Sequence, residues 1–135
     1  MSQHSRLEIA IEALLQAQKF YEASNYICAV ILAGASQQVI HDLCIANGKE
    51  SVIKTIGQLS GHGAKKVHNL IVDSYNKSKH ADRDPNDSVF VSSDEARVLM
   101  TVAATDLLKF PHVLSKEVLE FFDFIRSIRS CTASF

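Results

Sequence analysis

Apolar residues return every three or four positions along most of the chain, and the breaks between these runs divide it into helices. Leu7, Ile11, Leu14 and Leu15 mark the buried face of a first helix over 6–22. It opens with Ser5 and Glu8 at capping-box spacing, where a hydroxyl and a carboxylate serve backbone N–H groups that otherwise lack partners. A second helix, over 24–46, is apolar nearly all round in its first half and is therefore expected to be buried on several sides. Asn47 and Gly48 supply its stop. Ala29, Ala33, Gly34 and Ala35 are small enough for a neighbouring backbone to come close, so Gly34 reads as a packing contact and not as a break.

A short helix over 50–59 turns Val52, Ile53, Ile56 and Leu59 inward, and "SGHG" ends it. The fourth helix is expected over 64–83, stopped by Asp84 and Pro85, because a proline disfavours helical geometry in the residue before it. After the polar connection "DPNDSVFVSS", Ser92 and Glu95 repeat the capping-box spacing and open a helix over 93–110. Val98, Leu99, Val102, Leu107 and Phe110 face inward there, and Pro111 terminates it. A last helix over 115–129 carries Val118, Leu119, Phe122, Ile125 and Ile128, followed by a tail expected to fray. Helical periods without strand periods predict an all-α fold, an up-and-down bundle of five to six helices in a single domain over 1–135.

Composition agrees with a globular chain: 47% of the 135 residues are hydrophobic and 21% charged, with five Gly and two Pro. The formal net charge of −1 means that any nucleic-acid contact has to be local. Three cysteines, Cys28, Cys44 and Cys131, form no framework. Cys28 and Cys44 on one helix would lie about 24 Å apart, so reduced thiols in a cytoplasmic, soluble protein are expected. The apolar run "YICAVILAGA" is about half a bilayer span in length, and no membrane association is predicted.

The candidate chemistry lies on the fourth helix. At about 100° per residue, Lys65, Asn69, Asp73, Asn76, His80 and Arg83 fall within roughly an 80° sector, with Val67, Leu70, Ile71, Ser74 and Ala81 opposite. Such a stripe can be simply the solvated face of a bundle helix, with His80 and Arg83 favouring the negative end of the helix dipole. It can also be a site: an imidazole one turn beyond an amide, flanked by Lys77 and Lys79, could hold a phosphodiester and deprotonate its 2′-hydroxyl.

The stretch "YNKSKH" at 75–80 resembles the R-N-x-x-x-H signature of the HEPN superfamily. "ASNYICAVILAGASQQVIHDL" and "KHADRDP" resemble segments of short bacterial HEPN-like proteins, and the similarity covers roughly residues 5–110. The resemblance implies a helical bundle that dimerises through the motif helix. In active members it implies metal-independent RNA cleavage, with Asn76 and His80 matching catalytic positions. Tyr75 stands where the motif has arginine, and losing a guanidinium that stabilises transition-state charge costs several kcal/mol. The expected function is therefore a binding module for RNA, a nucleotide or a small protein partner, using Lys77, Lys79, Arg83, Asn69 and Asp73. The alternative is an active ribonuclease, a toxin component, in which Arg83 replaces the missing arginine. No cofactor and no metal are expected, because the pair His41 and Cys44 has no second pair at zinc spacing.

Overall fold

Residues 2–80, 86, 88–89 and 91–132 are described by a computed structural model, the last four by backbone alone. In chain order the helices are α1 (Arg6–Glu22), α2 (Tyr26–Ala46), α3 (Val52–Ser60), α4 (Ala64–Ile71), α5 (Asp73–Lys79), α6 (Ser93–Leu107) and α7 (Lys116–Thr132). A single 3-10 turn, Pro111–Val113, precedes α7, and the described residues contain no strand.

The helix starts follow local capping chemistry. The Ser5 hydroxyl accepts from the Glu8 N–H at 3.1 Å, but the Glu8 carboxylate turns to His4 at 3.2 Å, so only half of the expected box forms. At Ser92 the box is complete: the Ser92 N–H donates to the Glu95 carboxylate at 2.7 Å. The expected start of α2 at Ser24 moves to Tyr26. Ser24 has a φ of 61° and belongs to the turn that closes α1, and the Asn25 side chain caps the Cys28 N–H. Ser51 caps α3 in the same way, through the Lys54 N–H. The helix expected to reach residue 110 stops at Leu107, because Phe110 precedes Pro111 and leaves helical geometry for the 3-10 turn. Ser115 caps the last helix, which starts at Lys116 and continues to Thr132, beyond the expected 129.

α1 and α2 form a close antiparallel hairpin. Ala10, Ala17, Ala29 and Ala33 are fully buried between them, and the Ser36 hydroxyl donates to the Ala10 carbonyl at 2.7 Å across the gap. Against this pair pack α6, through Leu99, Met100 and Ala103, and α7, through Val118, Phe121 and Ile125. As a whole, α2 is long and apolar enough to cross a membrane by length and composition, unlike the shorter run read from the sequence. Half of it is buried in the bundle, where it serves as the core helix.

The helix expected over 64–83 is two helices. Val72 breaks it at φ −99° and ψ 10°, and His80 ends α5 at φ −113° and ψ 55°. The bend lets one arm reach two cores. Val67 on α4 joins Ile53 and Val102 in a small cluster, while Val72 and Tyr75 join the main core. The tight α3–α4 corner has a local cause: a Cβ on Gly57 would meet the Ala64 backbone nitrogen at 2.6 Å. Several expected inward residues lie outside instead. Leu59 is 85% and Leu70 67% exposed, and Ile56, Val98 and Leu119 are also exposed. Leu59 and Leu70 lie on the outer sides of the short α3 and α4, where no described helix covers them. Ala81 lies outside the described residues.

Candidate binding face on the α4–α5 arm

The predicted stripe does not converge on one site. Lys65, Asn69 and Asp73 line a groove of about 580 Å³ at the start of the arm, together with His62, Lys66 and Leu70. Asn76 and His80 lie beyond it, on α5 and at its C-cap, each only partly exposed. The His80 N–H donates to the Asn76 carbonyl at 3.1 Å, and among the described residues no hydrogen bond joins their side chains. Arg83, predicted both as a ligand-binding residue and as the substitute arginine, lies outside the described residues.

The charges on the arm are distributed unevenly. Lys77 pairs with Asp73 at 3.2 Å one turn away, and both are about half exposed, so the pair adds little stability but offsets the arm's carboxylate. Lys79 folds back so that its ammonium stands 4.5 Å from the centre of the Tyr75 ring. Lys65 and Lys66 stay exposed on the first turn of α4, where N–H groups without helical partners also point outward. The surface is therefore cationic near the groove and mixed beyond it.

Tyr75, at the motif-arginine position, turns away from this surface. Its ring lies on Gly34 of α2, where a Cβ would stand 2.3 Å from the Tyr75 Cγ. Gly34 is thus a site of close helix contact, in the sense the small residues of α2 suggested.

Sequence reasoning missed a second polar cluster behind the arm. The rings of His41 on α2 and His68 on α4 are 5.0 Å apart, and His41 Nδ1 and His68 Nε2 are buried without hydrogen-bond partners. Gln37, one turn before His41 and 1% exposed, has neither amide atom paired. Burial holds the His68 imidazole below its ordinary value. His41 and Lys79 push in the same direction, and Asp42 opposes them. The clue in the sequence was the presence of Gln37 and His41 on the helix expected to be the most buried, but nothing in it identified His68 as the partner. No group of three or more His, Cys, Asp or Glu suited to a metal ion occurs among the described residues.

Comparison of the chain with known families, curated proteins and solved structures finds no match.

Proposed function

We propose that this chain is a HEPN-like binding module of the cytoplasm that holds the phosphate backbone of RNA against the α4–α5 arm and does not cleave it efficiently. The observation that carries the reading is the exposed Lys65–Lys66 pair on the first turn of α4, beside a groove long enough for Asn69 and Asp73 to share. Lysines without a bidentate fork neutralise phosphates as point charges and confer affinity without sequence preference. The absence of cleavage is supported by Tyr75, which occupies the motif-arginine position and packs on Gly34 instead of offering a charge to the groove. The exposed Leu70, which lines the groove, favours a second copy of the chain docking through the same arm.

The test is fluorescence anisotropy with labelled single-stranded RNA, without metal, over a range of salt. Binding should weaken as salt rises, and Lys65→Gln with Lys66→Gln should reduce the log–log salt slope by roughly 1.4. RNA binding that is absent at low salt would leave a nucleotide or a small protein as the ligand. The ribonuclease alternative is favoured only by Asn76 and His80 both reaching the surface of α5. Cleavage that disappears in His80→Ala and in Arg83→Ala would establish it.

A further inference from the structure

The arm meets α2 antiparallel along a narrow seam. Gly34 faces Tyr75, and seven residues further along α2 His41 faces His68, seven residues back along the arm. That register sets Gln37 opposite Val72, at the break between α4 and α5. Four polar atoms in the seam, Gln37 Nε2 and Oε1, His41 Nδ1 and His68 Nε2, are buried without hydrogen bonds. Each opposes closure, because water would serve it better. What favours closure is apolar contact at Val72 and Tyr75, together with two imidazole rings whose centres lie 5.0 Å apart at a 42° tilt, where a second positive charge would be repelled.

The rest of the fold does not depend on this seam. α4 is anchored separately through Val67 to Ile53 and Val102, and the hairpin of α1 and α2 is closed by its own alanines and by Ser36. A charge arriving at the seam therefore acts on one lightly held contact.

We propose that the contact between His41 and His68 is an acid-released latch: on acidification the α4–α5 arm lifts from α2, while α1, α2, α6 and α7 remain packed. The groups that act on the His68 ring are His41 and Asp42 from α2 and Lys79 from α5. From α3 and α6, on the other flank of α4, no charged group among the described residues does so. A protonated His68 faces an imidazole and an ammonium, with one exposed carboxylate to offset them.

The sign follows from burial. The closed arm holds His68 below its ordinary value, so the open form takes up the proton more readily. Protonation of His68 does not oppose closure above the free imidazole value of about 6.5 and opposes it increasingly as pH falls below that value. Within the window between the free and the closed values, the opening constant rises about tenfold for each pH unit.

Hydrogen exchange read by mass spectrometry on the full chain, corrected for intrinsic rates, tests this between about pH 7.5 and about pH 5.5. Residues 64–79 should lose protection roughly tenfold per unit below the free value, with α1 and the buried face of α2 unchanged. His68→Phe keeps a ring in the contact without a titrating group and should abolish the pH dependence; His80→Phe should leave it intact. Asp42→Asn should move the opening to higher pH and Lys79→Gln to lower pH. Both side chains are exposed, so these two variants decide the matter even if His68→Phe does not fold. Opening that survives in His68→Phe, or shifts that are absent or reversed in the Asp42 and Lys79 variants, would overturn the proposal. So would loss of protection that spreads equally through α1 and α2.

Discussion

The ring of Tyr75 rests on the α-carbon of Gly34, so closely that a Cβ there would come within 2.8 Å of three Tyr75 atoms, including its Cβ. Because the crowding reaches the root of the tyrosine, rotating the ring cannot relieve it and the arm itself must move. Gly34→Ala is expected to cost about 1–3 kcal/mol despite the better helix propensity of alanine. Urea denaturation measures it, and combining the change with Tyr75→Ala should give less than the sum of the two losses. Simple additivity would mean that the two residues do not press on each other.

The same contact governs the chemistry of the arm. Tyr75→Arg restores the HEPN-type motif in letters, yet the side chain at this position starts out toward α2 and away from the groove. The variant should show no metal-independent cleavage of labelled RNA above background. Cleavage lost again on adding His80→Ala would instead show that position 75 reaches the exposed face.

Asp106, 1% exposed, connects two distant parts of the chain. Its Oδ1 accepts the Val52 N–H at 2.7 Å and stands 3.1 Å from the Lys109 ammonium, which also donates to the Glu50 carbonyl. The carboxylate thus completes the cap of α3 from a helix far along the sequence. Asp106→Ala leaves the Val52 N–H unserved and should cost about 2–3 kcal/mol. Chemical denaturation should register this, with amide exchange rising first in residues 52–60.

Burial raises the Cys44 thiol above its ordinary value, and the nearby Asp106 carboxylate adds to this, against Lys109 and Lys49. The folded form therefore disfavours the thiolate: this contribution to stability is whole below the ordinary thiol value and is lost as pH climbs through the raised one. At neutral pH, peptide mapping after brief alkylation should find the half-buried Cys28 modified well ahead of Cys44. Denaturant should bring Cys44 up to the rate of Cys28. Equal rates in the folded protein would contradict the burial.

Much of the helical layout was legible in the letters because its signals are local. Ser5, Ser92 with Glu95, Asn47 and the turn before Pro111 each act within one turn of the backbone, so their spacing alone determined that the fold is all-helical and roughly where most helices begin and end. The three-to-four-residue period also selected part of the core, including Leu14, Leu99 and Ile125, but passed over the small and mid-helix residues Ala10, Ala17, Ile40 and Met100.

Only the tertiary structure decided what depends on a neighbour. Periodicity shows that Leu59 and Leu70 share a face with buried residues, but whether another helix covers that face is set elsewhere in the chain, and none of the described helices does. The break at Val72 arises because one arm must fill two cores, and Asn76 and His80 do not line the groove that Lys65, Asn69 and Asp73 share. The partnerships of His41 with His68 and of Val52 with Asp106 come from helices brought together by packing, for which sequence spacing carries no signal.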